Sequence, residues 1–160
     1  MDVRPADAVE IDHLARLWYE VWHATHAPLA PPELIRLRTL ASFRDRLQAA
    51  LPDVCVVGPV RAPVGFCALK DDELYQLFVA REAHGTGVAA ALIANAEQRL
   101  ARRGVETAWL ACAIGNYRAA RFYEKSGWHM AGTFVVASET SMGPFPVEHW
   151  RYEKRLTRSA

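Results

Sequence analysis

The sequence predicts a single domain, residues 1–160, of the α/β (α+β) class, in which helices flank a mixed, mostly antiparallel sheet of six or seven strands. Three observations support this fold class. A strand, a glycine turn, a long helix and a second strand follow one another over residues 73–112, which is the pattern of a parallel βαβ unit. Short β-rich runs lie on both sides of this unit. Amphipathic helical patterns occupy most of the chain before it.

The N-terminal part of the chain predicts a short strand followed by helices. Residues 2–5 have the pattern of a strand. Asp7, with Glu10 three residues later, resembles a capping box at the start of a helix over residues 8–23. After a loop rich in proline, a second helical region begins with prolines, as helices often do, and we expect a break in it near residues 39–42.

Strand patterns account for most of the remaining chain. Before the central helix they occur at residues 54–57, 64–69 and 73–79, which we expect to form an antiparallel meander. After that helix they occur at residues 105–112, 128–136 and 147–156. A short helix is predicted over residues 116–126. The irregular loop at residues 138–146 is a candidate for shaping a substrate pocket.

The composition favours small-molecule or peptide partners and a cytoplasmic location. Nineteen basic and eighteen acidic residues give a net charge of +1 and form no block of like charge, which argues against nucleic acid or an anionic membrane surface as partner. No apolar run approaches the roughly 20 residues of a membrane span. Cys55, Cys67 and Cys112 stand singly in apolar runs, so we expect buried thiols in a reducing compartment.

The turn before the central helix predicts a phosphate-binding site. Gly85 and Gly87 allow the backbone to approach a ligand, and the first turn of the helix leaves N–H groups without intrahelical partners. Gly85-x-Gly87-x-x-Ala90 matches a dinucleotide fingerprint as a bare pattern. However, Glu106, the acid at about the expected spacing, precedes its strand and stands at the wrong end to reach a ribose. A nucleotide-binding oxidoreductase is therefore disfavoured.

Two segments resemble the GNAT superfamily of N-acetyltransferases, and the resemblance covers nearly the whole chain. Residues 84–89, HGTGVA, resemble the pyrophosphate loop, whose pattern is Arg/Gln-x-x-Gly-x-Gly/Ala. Gly87 and Ala89 match this pattern, whereas His84 stands where the family usually has Arg or Gln. Residues 116–128, NYRAARFYEKSGW, fill every named position of the family's Asn-x-x-Ala-x-x-x-Tyr-x-x-x-Gly-Phe/Trp segment.

The resemblance implies the GNAT fold and direct transfer of an acetyl group from acetyl-CoA to a primary amine of a small molecule or peptide. It places acetyl-CoA where the two parallel strands splay apart, and it implies a bulge that frees backbone N–H groups for the thioester carbonyl. A homodimer through the final strands is an expectation from the family only. The residues that the resemblance assigns to the cosubstrate are Leu77, Phe78, Val79, His84, Gly85, Thr86, Gly87, Val88, Ala89, Asn116 and Ala119.

Acyl transfer to an amine needs a proton acceptor and benefits from a proton donor. The amine attacks only as the free base, and the departing thiolate is stabilised by a proton. Tyr123 is the candidate acid, since the tyrosine at this position of the family faces the CoA sulfur; the alternative is an aromatic core residue. Glu73 is the candidate base, because many members carry an acid at the start of this strand; the alternative is a solvated carboxylate. For Asn116 the alternative to a cosubstrate contact is a helix cap.

One further alternative is a non-catalytic acyl-CoA-binding sensor module, which would keep the pocket without turnover. The histidine at position 84 leaves that alternative open. No covalent nucleophile is indicated, because Cys112 has no histidine partner evident in the sequence. No metal site is predicted, because His23 and His26 lack a visible third ligand. The near-neutral charge is compatible with acceptors as different as a protein N-terminus, an antibiotic, a polyamine and an amino acid derivative.

Overall fold

One sheet organises the computed structural model, which describes residues 1–156; residues 157–160 of the predicted domain lie outside that description. The strands are β1 (Val3–Pro5), β2 (Val54–Val57), β3 (Gly65–Lys70), β4 (Glu73–Val79), β5 (Thr107–Ala113), β6 (His129–Ser138) and β7 (Phe145–Arg155). The α-helices of the described chain are α1 (Ile11–Thr25), α2 (Pro32–Leu37), α3 (Leu40–Ala50), α4 (Val88–Arg102) and α5 (Tyr117–Lys125).

The seven strands are arranged in the order β1-β2-β3-β4-β5-β7-β6. Neighbouring strands are antiparallel except β4 and β5, which run parallel and are connected through α4. The predicted mixed, mostly antiparallel sheet with a central parallel βαβ unit is therefore confirmed. The predicted meander of three strands corresponds to β2, β3 and β4.

Helices cover both faces of the sheet and bury a separate core on each. On one face, Leu92 of α4 packs with Leu110 of β5. On the other face, Trp18 of α1 is 2% exposed, and its ring lies 4.8 Å from that of Phe43 and 5.5 Å from that of Phe66. The aromatic residues of α1 thus contribute large buried areas to the core. No helix within residues 1–156 is both long and apolar enough to cross a membrane.

The start of α1 is held by a buried carboxylate. Glu10 is fully buried, and its two oxygens accept hydrogen bonds from the Arg4 guanidinium at 2.8 and 2.7 Å. The same carboxylate accepts from the backbone N–H groups of Asp7 and Arg61 at 3.0 and 3.1 Å. The predicted capping box is present, although it caps a 3₁₀ turn, Ala8–Glu10, that leads into α1. Hydrogen bonding to Arg4 is the main reason that the pKa of Glu10 falls to about 2.

Several boundaries differ from the sequence prediction. α1 continues to Thr25, and the predicted break in the second helical region lies at Arg38 and Thr39, where the Thr39 hydroxyl accepts from the N–H of Ser42 at 3.2 Å and caps α3. The hairpin of β6 and β7 is longer than predicted. Pro146 lies within it because this end of β7 pairs only with β6, so its missing N–H breaks no second ladder.

Candidate active site

The candidate site begins at a gap in the middle of the sheet. β4 and β5 are in register at a single residue pair, Glu73 with Trp109. Beyond this pair the two parallel strands diverge, and their facing edges no longer form a ladder. The gap therefore opens toward the carboxyl ends of both strands, where the turn to α4 and the start of α5 also lie.

Backbone N–H groups of β4 face this gap. Ala80 donates its N–H to the carbonyl of Val64 at 2.8 Å, and Phe78 lies in the same register with β3. Because the direction of hydrogen bonding alternates along an antiparallel strand, the N–H groups of Leu77 and Val79 point away from β3 and toward the gap. The N–H of Phe78 points toward β3, which differs from the expectation that all three residues offer donors.

β4 carries a bulge at Tyr75. Ala68 pairs with Gln76 whereas Leu69 pairs with Leu74, which leaves Tyr75 as the extra residue. The bulge lies two residues before residues 77–79, the stretch where the family resemblance implies a bulge. In a regular strand consecutive side chains point to opposite faces. Here Tyr75 and Gln76 both line cavities on one side, so the bulge directs two consecutive side chains to the site.

The turn between β4 and α4 presents an open cradle of backbone. Gly85 and Gly87 have φ angles of +76° and +90°. A Cβ added at Gly85 would meet nothing within 4 Å, and one at Gly87 would meet only the side chain of Met1 at 4.0 Å. The first hydrogen bond of α4 runs from the N–H of Ala91 to the carbonyl of Gly87, so the N–H groups of residues 88–90 have no intrahelical acceptor. Such a helix N-terminus suits a phosphate.

The polar side chains of this turn hold the loop itself. His84 Nε2 donates to the carbonyl of Val79 at 3.2 Å, and the Thr86 hydroxyl donates to the carbonyl of Ala83. The imidazole therefore ties the turn to the end of β4. In this geometry His84 supports the backbone of the turn.

A cavity of about 80 Å³ lies in the gap, and it brings residues of β4 together with residues of the second predicted motif, 116–128; no residue of the glycine turn lines it. Leu77 and Phe78 of β4 line it, as do Asn116, Ala119 and Tyr123 from the segment around α5. Asn116 also accepts a hydrogen bond from the N–H of Ala119 at 3.3 Å through its side-chain oxygen. The capping alternative for Asn116 is thus observed, at a position that also borders the cavity.

Tyr123 is suited to hold a proton at neutral pH. Its ring lies 6.1 Å from the ring of Tyr152 and 5.6 Å from that of Phe122. No residue within the described chain hydrogen-bonds its hydroxyl. Desolvation, followed by the nearby Cys112, raises the pKa of Tyr123 well above its usual value. The phenol is therefore neutral and is available as a donor to a ligand in the small cavity.

A second cavity, of about 350 Å³, adjoins the first on the face covered by α1, α2 and α3. The residues that line both cavities are His26, Tyr75, Gln76, Phe78, Ala111 and Ala113. Ser138 and Glu139, from the end of β6 and the loop after it, border the larger cavity. The predicted contribution of this loop to a pocket is therefore seen in the structure. The two cavities are therefore neighbours, separated by residues of β4 and β5 and by His26.

Glu73 and Tyr123 do not line the same cavity. Glu73 borders only the larger cavity and Tyr123 only the smaller one. Desolvation is the main cause that raises the pKa of Glu73 to about 7, and Lys70 opposes it. A carboxyl group with this pKa exists in both protonation states near neutral pH, which suits a general base. Because Glu73 does not line the small cavity, a proton from an amine in the gap would pass to its carboxylate through water.

Two histidines line the larger cavity as neutral bases. His149 Nδ1 donates to the carbonyl of Val147 at 3.0 Å, which leaves Nε2 as an acceptor. The Thr25 hydroxyl donates to Val21, so His26 Nδ1 donates to Thr25 at 2.7 Å and His26 Nε2 is also an acceptor. Burial lowers the pKa of His149 and lowers that of His26 to about 4.

His149 was not predicted as a site residue from the sequence, and neither were Arg38 and Arg46, which line the same cavity. For His149 a signal existed: Val147, His149 and Arg151 alternate along β7 and share one face. For the two arginines the sequence pattern offers no comparable signal, because both are charged residues in helical segments that would ordinarily face solvent.

The three cysteines are buried thiols. Cys55, Cys67 and Cys112 are free and buried, as predicted. Burial raises the pKa of Cys112 to about 12, which disfavours the thiolate that a nucleophile requires. Within residues 1–156, no group of three or more His, Cys, Asp or Glu residues is arranged to hold a metal ion.

Comparison with known proteins links this geometry to a family. Residues 12–128 match the model of the acetyltransferase (GNAT) family. An uncharacterised N-acetyltransferase of Mycobacterium tuberculosis is 35% identical over 121 residues, covering 66% of this chain and 78% of that protein. A GCN5-related N-acetyltransferase from Rhodopseudomonas palustris has a similar structure, with a TM-score of 0.75, 20% identity, and coverage of 97% of this chain and 95% of that one. The PaiA N-acetyltransferase of Thermoplasma acidophilum, solved in complex with coenzyme A, gives a TM-score of 0.65 at 19% identity and covers 96% and 98%.

Proposed function

Because the chain belongs to the acetyltransferase (GNAT) family of N-acetyltransferases, we propose that it transfers the acetyl group of acetyl-CoA directly to a primary amine of a small molecule or peptide. One observation carries the proposal. Leu77 of β4 and Tyr123 line the same small cavity in the gap, and the glycine turn follows the carboxyl end of β4 and leads into α4. Each of these groups meets one need of acyl transfer from a thioester.

The glycine turn fits the pyrophosphate of acetyl-CoA, because nothing lies where a Cβ of Gly85 would stand and because α4 begins there. When bound, acetyl-CoA supplies an activated acyl group and a thiolate as leaving group. The N–H groups of Leu77 and Val79 are the donors for the developing oxyanion. The residues that we assign to the cosubstrate are those predicted from the sequence, with His84 and Thr86 supporting the loop and Phe78 contributing its side chain.

Tyr123 is the general acid of the proposed reaction and Glu73 is its general base. Tyr123 holds its proton at neutral pH and releases it to the departing thiolate as general acid. Glu73 accepts the proton of the incoming ammonium through water, and its pKa of about 7 balances base strength against the fraction that is ionised. The neutral His26 and His149 line the route between them and accept hydrogen bonds from the amine or from that water.

Calorimetric titration with acetyl-CoA and with NADH, together with a thiol-release assay over a panel of amines, tests the proposal. We expect acetyl-CoA but not NADH to bind. Tyr123→Phe should lower kcat by about 10²-fold, because the general acid is lost. Its affinity for acetyl-CoA should be unchanged. The matched control is Tyr117→Phe, which removes the hydroxyl of an exposed tyrosine on the same helix and should leave turnover unchanged.

The outcomes separate the alternatives. Absence of acetyl-CoA binding would overturn the proposed function. Binding of acetyl-CoA without thiol release on any amine would support the non-catalytic sensor instead. Equal loss of activity in Tyr123→Phe and Tyr117→Phe would show that the hydroxyl of Tyr123 has no special part in the reaction.

A further inference from the structure

Arg38 is a buried cation whose donors are only partly used. It follows α2, is 3% exposed and lines the larger cavity. Its Nη1 donates to the backbone carbonyl of Glu139, and its Nε has no hydrogen-bond partner within residues 1–156. Desolvation, followed by repulsion from Arg46, lowers the pKa of Arg38 to about 10, so the guanidinium remains charged at neutral pH. Burying a charge in this way is costly unless a partner is present.

A second guanidinium faces the same cavity. Cζ of Arg46, on α3, lies 4.4 Å from the ring centre of Trp18, and its Nη2 donates to the Tyr75 hydroxyl at 3.1 Å. Its buried Nε also lacks a partner among the described residues. Neither Arg38 nor Arg46 forms an ion pair with a carboxylate in that part of the chain.

The acids that border the cavity form no ion pair with either arginine, and the charge of Glu139 acts on both arginines only from beyond ion-pair distance. Glu139 forms an ion pair with Lys70 at 2.9 Å, and both side chains are more than half exposed. Glu148 is exposed. The charges that shift the pKa of Glu73 are those of Lys70, Arg151 and its aspartate neighbours, and neither Arg38 nor Arg46 is among them. A buried and a half-buried guanidinium therefore share one cavity, and a bound anion would offset the cost of placing these like charges together.

The chemistry of the two side chains indicates which anion. A guanidinium presents a planar fork of donors that matches the two oxygens of a carboxylate. The cavity that holds Tyr123 includes neither arginine, so the anion belongs to the acceptor and not to the reacting end of acetyl-CoA. A volume of about 350 Å³ suits a small molecule. We propose that the acceptor is a small amine that carries a carboxylate, which Arg38 and Arg46 bind while the amine faces the gap; this rests on the proposed function.

Matched probes test the proposal. Each probe pair is an amino acid and its carboxamide, drawn from α-amino acids and from ω-amino acids of increasing chain length. Binding is measured by calorimetry on protein saturated with CoA, and thiol release is measured separately with rates corrected for the fraction of unprotonated amine. We expect at least one carboxylate to bind about 10- to 100-fold more tightly than its carboxamide. Arg38→Met should remove this preference without weakening the binding of the carboxamide.

Further variants separate a ligand contact from a structural role. Arg36→Met removes an exposed arginine from the same helix and should keep the full preference. Arg38→Lys keeps the charge but loses the planar fork, so we expect an intermediate preference. Arg38 also holds the carbonyl of Glu139, so Arg46→Met is the second test, because it leaves that hydrogen bond intact. It too should reduce the preference for the carboxylate.

Two outcomes would overturn the proposal. One is equal binding of carboxylate and carboxamide in every pair; the other is a preference that survives both methionine variants. If thiol release from amines that carry no carboxylate is seen at the same time, the proposed function stands and only the carboxylate site fails. Conversely, carboxylate binding that is lost in Arg38→Met, without thiol release from any amine, supports the site and overturns the proposed function.

Discussion

The partly buried carboxyl group of Glu73, the proposed general base, has a cost for the stability of the fold. Its carboxyl group is partly buried at the edge of the larger cavity, and desolvation raises its pKa from 4.5 to about 7. A base with this pKa is active only in its deprotonated form. We therefore expect kcat/KM of the proposed reaction to fall as the pH decreases below about 7. Glu73→Gln should remove this limb of the pH profile and leave a lower, flatter rate, measured by thiol release.

The same substitution has a signature in stability that does not depend on activity. Because the pKa of Glu73 is higher in the folded than in the unfolded chain, its ionisation destabilises the fold, and this cost grows as the pH rises from about 4.5 to 7. Glu73→Gln should therefore raise the free energy of unfolding by about 1–3 kcal/mol at pH 8 and change it little near pH 4. Glu20→Gln, the same chemical change at an exposed position of α1 that does not act on Glu73, is the control. A gain that is equal at both pH values would contradict this account.

At the level of secondary-structure elements, Glu10 connects β1, the start of α1 and the turn around Arg61. Arg4 lowers its pKa from 4.5 to about 2, so its contribution to stability is complete above about pH 4.5 and is lost as the pH falls toward 2. Glu10→Gln should lower the free energy of unfolding by about 3 kcal/mol at pH 7, because Arg4 loses its buried partner. Denaturant unfolding at several pH values measures this.

The matched control for Glu10 is Asp12, two residues later. Its ion pair with Arg44 joins side chains that are 63% and 59% exposed, so Asp12→Asn should change stability by less than about 0.5 kcal/mol. A loss in Glu10→Gln as small as that in Asp12→Asn would show that the buried carboxylate contributes no more than a surface ion pair.

The parts of the site that were predictable are those coded by contiguous sequence. The glycine turn of α4 follows from Gly85 and Gly87, and Tyr123 was assigned because residues 116–128 resemble a continuous family segment in which it fills the tyrosine position. Arg38 was not predictable, because its contact with Glu139 joins positions 101 residues apart in the chain. The bulge at Tyr75 also depends on pairing with β3, so it is a property of the sheet and not of the β4 sequence alone.

At the scale of the whole molecule, the sheet consists of two parts, β1 to β4 and β5 to β7. Only one residue pair in register, Glu73 with Trp109, connects them. Helix α4 packs in a core that includes strands of both parts. Acetyl-CoA bound at the gap should tie the parts together. At a concentration of 100 times its Kd, it should raise the free energy of unfolding by about 2.7 kcal/mol. Amide hydrogen exchange should slow at Leu77 and Val79, with NADH as control. Protection confined to the glycine turn would contradict this prediction.

The gap also determines where unpaired backbone N–H and C=O groups lie in the sheet. An unpaired edge on the outside of a protein is a template for aggregation, and proteins usually shorten, charge or cover it. In this chain the facing edges of β4 and β5 lie in the interior of the sheet, between β3 and β7, and not at either outer edge. The backbone groups that a binding site needs are therefore available without being a hazard in a crowded solution.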